Sequence, residues 1–373
     1  MALYIGLMSG TSLDGIDGVL LDFGSSQGSP LTLLGHRHQA FDATLRGELA
    51  SLNAPGDNEL QRAELAGNAL ARAYAAIVNG LLASSGVSAA RVRALGAHGQ
   101  TVRHRPGEFD GVGYTTQLLN GALLAELTGI DVVCDLRRRD VAAGGQGAPL
   151  APGLHAALFA APGQARAVLN LGGIANLTLL SAAGGVRGFD CGPANVLLDG
   201  WCQRHTGRAF DADGRWSRTG QVLQPLLAAL IAEPFFALPA PKSTGRDLFN
   251  MAWLDWHLQR HASAAAPADV QATLAALTVH SVARALRDHA AGTSVLLVCG
   301  GGALNTHLMD GLAQALPTLR VTTTAEFGLP VDQVEGAAFA WLAQRFVERM
   351  AGNIVAVTGA RGPRVLGALH PAR

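Results

Sequence analysis

Of the 28 basic side chains in this 373-residue sequence only one, Lys242, is a lysine. A Gly-Lys-Ser/Thr phosphate loop needs a lysine at its centre. The only one available lies in Pro241-Lys242-Ser243-Thr244-Gly245-Arg246-Asp247, so a P-loop nucleotide fold is excluded. Cysteine is sparse too: Cys134, Cys191, Cys202 and Cys299 share no CxxC spacing and sit in apolar stretches. This excludes a thiolate zinc site or a disulfide scaffold and predicts buried free thiols in a reducing compartment. Net charge is zero, so bulk electrostatics favour neither nucleic acid nor an acidic membrane surface. Long apolar runs are missing as well. The longest stretch, Leu223–Ala240, is broken by Pro225, Glu233, Pro234 and Pro239, which rules it out as a membrane span. The start of the chain has no basic segment and meets Asp14 early, so no signal peptide is expected and the cytoplasm is the expected location. No His/Cys/Asp/Glu cluster has metal-ligand spacing, and Asp211-Ala212-Asp213-Gly214 is too short for a calcium loop.

What the chain has in quantity is glycine, 46 residues of it, and the most informative ones fall in two turns of like design. The first is Gly6-Leu7-Met8-Ser9-Gly10-Thr11-Ser12-Leu13-Asp14-Gly15-Ile16-Asp17, entered from Leu3-Tyr4-Ile5. The second is Leu169-Asn170-Leu171-Gly172-Gly173-Ile174-Ala175-Asn176-Leu177-Thr178, entered from Ala167-Val168. Each reads as strand, glycine turn, strand. Glycine lets backbone N–H groups approach one point, which is what an anionic phosphate requires. Two such turns facing each other would clamp a nucleotide, an arrangement that resembles the actin-like and sugar-kinase ATPases.

The surrounding pattern predicts two α/β halves. Strands over 1–24 and Leu31–Arg37 precede a helix over Glu59–Ser84, a strand at Val92–His98, a helix at Leu118–Leu127 and a strand at Ile130–Cys134. The second half repeats the plan with strands at Ala167–Leu171, Ala175–Leu180 and Val186–Phe189 and a helix at Asn195–His205. It continues with a helix at Val270–Ala290, a strand at Thr293–Cys299 and helices at Asn305–Leu316 and Glu335–Met350. The expected fold is two duplicated actin-like (ribonuclease H-like) α/β domains with a nucleotide and substrate cleft between them. The boundaries are 1–133, completed by the C-terminal segment, and 134–373.

In the first turn, Ser9, Thr11 and Ser12 offer hydroxyls to phosphates, and Asp14 suits Mg²⁺ held through water. Gly300-Gly301-Gly302 ends a strand and either lets an adenine or ribose lie flat on the backbone or is a packing turn. Asp190, in Gly188-Phe189-Asp190-Cys191-Gly192-Pro193-Ala194-Asn195, stands at a strand end. It is either a catalytic base or the cap of the helix that follows. Ala97-His98-Gly99-Gln100-Thr101 suits sugar hydroxyls, unless His98 is a satisfied core histidine. Asp135-Leu136-Arg137-Arg138-Arg139-Asp140 is either an anion-binding run or a salt-bridged edge.

Together, Gly6–Asp17, Ala97–Thr101, Asp135–Pro149, Asn170–Thr178, Phe189–Asn195, Pro241–Arg246, Cys299–Asn305 and Glu335–Ala343 closely resemble the anhydro-N-acetylmuramic acid kinase family. They occur in family order over nearly the whole length. The resemblance implies a bacterial cell-wall recycling enzyme that uses ATP and Mg²⁺ on 1,6-anhydro-N-acetylmuramic acid and water, giving N-acetylmuramic acid 6-phosphate. Carried over, Gly10, Thr11, Ser12, Leu13, Asp14, Gly15, Ile16 and Asp17 form the ATP-phosphate loop. Asn170, Gly172, Gly173, Gly300, Gly301, Gly302 and Asn305 complete the nucleotide site. Asp190 activates the water that attacks the anomeric carbon, freeing O6 to attack the γ-phosphate. His98, Gln100, Arg139 and Glu335 fall on the substrate side, and a homodimer is the family expectation. The chain departs from the family at Cys191, usually Thr, and at Ala194, usually Gly. An ordinary sugar kinase and an actin-like nucleotide switch are the rival readings.

Overall fold

The structure, a computed structural model, describes residues 2–24 and 31–373. The chain opens with β1 (Leu3–Ser9), β2 (Gly15–Asp22) and β3 (Thr32–Ala40), then α1 (Ala43–Ser51), α2 (Glu59–Ser85) and β4 (Val92–Ala97). A hairpin of β5 (Gln100–Pro106) and β6 (Gly113–Leu118) leads to α3 (Gly121–Thr128), β7 (Val132–Cys134), α4 (Arg138–Ala142) and α5 (Ala151–Phe159). The second series is β8 (Arg166–Leu171), β9 (Ile174–Leu180), β10 (Val186–Pro193), α6 (Asn195–Thr206), α7 (Gln224–Ile231) and α8 (Met251–His261). It goes on through α9 (Pro267–His289), β11 (Val295–Cys299), α10 (Thr306–Ala315) and β12 (Arg320–Thr323), and α11 (Val334–Val347), α12 (Val355–Thr358) and β13 (Ala368–His370) close the chain.

These elements form two compact units: residues up to Leu158 together with Gln333–Arg373, and Phe159–Asp332. The division falls after residue 158 rather than 133. β7 pairs with β4 and β13, and Asp140 of α4 bonds to Asn353 and Thr358, so the segment following β7 stays with the first unit. The two sheets share one plan. In the first the order is β13-β7-β4-β1-β2-β3, and in the second β10-β9-β8-β11-β12. In each, an antiparallel three-strand meander carries two further strands parallel to its first, so the expected duplication is present.

Alternation along β1 explains how the first sheet is covered. Leu3, Ile5 and Leu7 point to one face and join Leu70, Tyr74, Ile77 and Leu81 of α2 in a buried cluster. Gly6 points to the other face, where α11 lies directly on the backbone. A Cβ at Gly6 would overlap the Gly336 carbonyl oxygen and come within 2.6 Å of the Ala340 nitrogen, and Gly96 of β4 is pressed in the same way against Phe339. In the second unit α9 packs on β10 and against α6, α7 and α10.

Helix ends follow local chemistry. The predicted start at Leu118 moves to Gly121, because Leu118 ends β6 and Asn120 caps α3, its Oδ1 accepting from Leu123 N at 2.9 Å. Among the described residues no helix is long and apolar enough to cross a membrane. Gly6→Ala should cost on the order of 3 kcal/mol, since a methyl group at a backbone contact must displace the helix. A thermal melt within a degree of the parent would show that α11 can give way.

Candidate active site

In the first unit the end of β1, the end of β4 and the segment after β7 carry the predicted residues. The β1–β2 turn is closed by Leu13 N donating to Gly10 O at 3.2 Å. Leu13 takes a left-handed φ of 59° and buries its side chain against Leu45, Leu49 and Leu52. That anchor turns Thr11, Ser12 and Asp14 outward, and all three are exposed. Ser9 is buried and engaged elsewhere, donating to Gly99 O at 3.1 Å with the Tyr74 hydroxyl 2.9 Å from its Oγ. Gly15 and Ile16 are buried in β2. Asp17 accepts from His38 Nδ1 at 3.0 Å and His36 Nε2 at 3.2 Å. Burial pushes its carboxyl up, but those two hydrogen bonds outweigh it and hold the pKa below the usual carboxylate value.

His98 is a buried, fully engaged histidine. Its ring nitrogens meet Ser9 O at 3.1 Å through Nδ1 and the Arg137 guanidinium at 2.9 Å and 3.1 Å through Nε2. Burial, reinforced by the Arg137 charge, holds its pKa well below the ordinary value, so the ring is neutral with the proton on Nδ1. Phe339 of α11 backs it at 4.7 Å between ring centroids. Arg137 also donates to Gly147 O at 2.8 Å. Its pKa falls to about 10 through desolvation, partly offset by Glu335 and Asp140, so it stays charged. Glu335 is exposed in the first turn of α11, and Arg139 is exposed on α4. Gln100 is buried; its Nε2 donates to Gly10 O at 3.0 Å, while its Oε1 has no partner among the described residues. The buried Asp140 accepts from Gly147 N at 2.8 Å, Asn353 Nδ2 at 2.7 Å and Thr358 Oγ1 at 2.8 Å. It is therefore a satisfied tie rather than a reactive group.

In the second unit, Asp190 lies on β10, the edge strand, with a bulge between it and Gly192. Its Oδ2 accepts from Thr244 N at 2.9 Å and Ser243 Oγ at 3.1 Å, and its Oδ1 has no partner among the described residues. Burial raises its pKa above the usual carboxylate value, and the two hydrogen bonds offset part of that rise. Asp190 does not cap α6: the residue at that position is Ala194, with φ −116° and no side-chain bond. Across the sheet Asp190 stands opposite Asn176, which stands opposite Asn170. Cys191, the departure beside Asp190, is buried and falls within the bulge.

The two glycine turns of this unit lie side by side. Asn195 donates to Leu171 O at 2.9 Å, and Asn195 N donates to Gly172 O at 3.0 Å. Gly300 has φ 80°, and a Cβ there would overlap Asn170 Oδ1 and sit 2.8 Å from Leu171 O, so only glycine fits. Gly173 and Gly301 are exposed, Gly302 is buried against Leu171, and Asn305 caps α10 by accepting from Leu308 N at 3.2 Å.

Sequence reading missed three contributors. Ser243 and Thr244 follow the only lysine, within the Pro241–Arg246 stretch of the family resemblance, but no local pattern aims them at Asp190. Asn176 was visible only as part of a turn, because strand register decides that it faces Asp190.

The profile of the anhydro-N-acetylmuramic acid kinase family matches residues 2–372. A relative of that name from Variovorax paradoxus (strain S110) is 59% identical over 375 residues, covering 99% of both chains. Another from Cupriavidus pinatubonensis is 56% identical, covering 99% of this chain and 98% of its own. Among solved structures, component A of the Acidaminococcus fermentans (R)-2-hydroxyglutaryl-CoA dehydratase aligns with a TM-score of 0.49 at 11% identity, covering 91% of this chain and 96% of that one.

Two buried histidines of the first unit set a pH response. His98 is held well below 6.5 and His155 is pushed down to about 3, both chiefly by burial. The unfolded chain takes up protons on these rings below pH 6.5 that the native state refuses, so stability is full above that pH and falls as pH drops from 6.5 toward 3. Each ring contributes a slope of up to about 1.4 kcal/mol per pH unit. Urea unfolding at pH 7 and pH 5 measures it, and NMR showing either ring protonated in the native state at pH 5.5 would contradict it.

Proposed function

The chain belongs to the anhydro-N-acetylmuramic acid kinase family and is a phosphotransferase; from that premise we propose that it uses ATP to convert 1,6-anhydro-N-acetylmuramic acid and water into N-acetylmuramic acid 6-phosphate and ADP. The observation that carries the reading is Asp190. One of its oxygens is fixed by two donors, the other is free, and its pKa is raised by burial. A carboxylate held this way is aimed and is a better proton acceptor than one in water.

In the proposed step Oδ1 of Asp190 takes a proton from water as the water oxygen bonds to the anomeric carbon. The bond from that carbon to O6 breaks, and O6 attacks the γ-phosphorus, expelling ADP. Asp190 then returns its proton to solvent. In the Gly10–Asp14 loop, Thr11 and Ser12 present hydroxyls and backbone N–H groups to the transferred phosphate. Gln100 holds the loop through Gly10 O and leaves Oε1 for a hydroxyl or water. Glu335 and Arg139 are assigned to the sugar. Arg137 fixes the neutral tautomer of His98 and shapes the floor of the first unit's site. Gly172–Gly173 and Gly300–Gly302 offer a flat backbone surface to the nucleotide base and ribose.

Mg²⁺ keeps most of its waters and binds with the nucleotide, and the exposed carboxylate of Asp14 on the loop would hold it through water. Bound there, Mg²⁺ supplies charge neutralisation on the phosphates. The reading places the enzyme in recovery of cell-wall sugars in the cytoplasm, as a homodimer acting on a small molecule.

Turnover in ¹⁸O-labelled water, followed by mass spectrometry, tests the mechanism. The product should carry label at the anomeric position, and Asp190→Asn should lower kcat by about 10²–10⁴-fold. Phosphorylation of the anhydro sugar without label incorporation, or an Asp190→Asn variant of parental rate, would overturn the assignment.

A further inference from the structure

We propose that Lys242, the only lysine of the chain, is a positioning residue that clamps the turn from which Asp190 receives its two donors. The inference rests on the reading of Asp190 as the base. β10 is an edge strand, and past it runs the backbone of Lys242–Thr244. Asp190 N donates to Lys242 O at 2.9 Å, Thr244 N returns a bond to Asp190 Oδ2 at 2.9 Å, and Ser243 Oγ adds a second at 3.1 Å. The three residues thus bracket Asp190 from its own backbone to its carboxylate.

This turn lies on the sheet edge, so something must hold it. The Lys242 ammonium does so by donating to Phe235 O at 3.0 Å and Phe236 O at 3.2 Å, both within the short 3₁₀ turn Pro234–Ala237. Carbonyls at such a turn are left partly unsatisfied and attract a cation. The ammonium also sits 4.6 Å from the centroid of the Phe235 ring. Phe235 and Phe236 are themselves buried against Phe249, with centroids 5.6 Å and 5.7 Å away. The result is a rigid path from an aromatic core, through one side chain, to the turn and the carboxylate.

The charge of Lys242 does not reach Asp190 directly. Its electrostatic neighbours are the Cys191 thiol on β10 and Arg284 and Asp288 on α9, while His289 of α9 packs on Phe189 and Arg187 donates to the His289 carbonyl. Asp190 is faced by Ser243 and Thr244 from the turn and stands opposite Asn176 on β9. Lys242 therefore acts by geometry: a released turn withdraws donors from Asp190, which favours its protonated form.

The test compares Lys242→Met, Lys242→Arg, Ser243→Ala and Asp190→Asn in the full chain, with kcat and KM measured across pH and folding checked by thermal melting. Lys242→Met should lower kcat about tenfold, the size of a weakened hydrogen bond to a charged group, with KM nearly unchanged. The acid limb of its kcat/KM profile should move to higher pH. Lys242→Arg, which can reach the same carbonyls and ring, should restore both. A folded Lys242→Met with the parental pH profile overturns the proposal, and so does a Lys242→Arg no better than Met. Should Lys242→Met not fold, Ser243→Ala carries the test: an acid limb moved the same way supports the clamp, and an unmoved one overturns it. An active Asp190→Asn would instead remove the base reading itself, which separates the two failures.

Discussion

The contact of α11 with bare backbone at Gly6 and Gly96 is the constraint on which the first unit is built. Neither strand can accept a side chain there, because the carbonyls of Gly336 and Phe339 occupy the space a Cβ would take. The helix comes from the far end of the sequence, so this contact folds the C-terminal segment onto the first sheet. It also fixes three features of the proposed site at once. The Gly10–Asp14 loop leaves the end of β1, His98 and Gln100 follow β4, and Glu335 opens α11 itself. Phe339, one turn along, backs the His98 ring.

Around that frame the polar groups divide into ties and free ends. Ser9, His98 and Asp140 are buried, with their hydrogen-bonding capacity taken up by neighbours. Buried polar groups left unsatisfied are costly, so such residues are structure by necessity. Among the described residues of the proposed site, the free ends are Thr11, Ser12 and Asp14 on the loop, Gln100 Oε1, and in the second unit Oδ1 of Asp190. The second unit uses the same meander differently. Its first turn is almost bare glycine, and the proposed base sits on the edge strand, where a bulge and the Lys242–Thr244 turn hold one carboxylate.

The sequence by itself determined the duplicated strand and helix plan, the two glycine turns, the exclusion of a P-loop and the singling out of Asp190. These rest on local signals: alternation, glycine at tight turns, a lysine count, and a carboxylate beside Gly and Pro. The family match followed from the same motifs. Tertiary structure decided what local pattern cannot carry. Only packing shows that the first unit keeps α4, since that depends on the two bonds to Asp140 from Asn353 and Thr358, far along the chain. The β5–β6 hairpin escaped reading because its strands are mostly polar and half exposed, leaving little hydrophobic alternation to detect. Tertiary contacts tie His98 to Arg137, and tie Asp190 to Ser243 and Thr244 rather than to the start of α6. Hydrogen bonds across 39 to 54 residues of chain leave no periodic trace in sequence, because the partner is chosen by strand register and helix packing rather than by neighbours along the backbone.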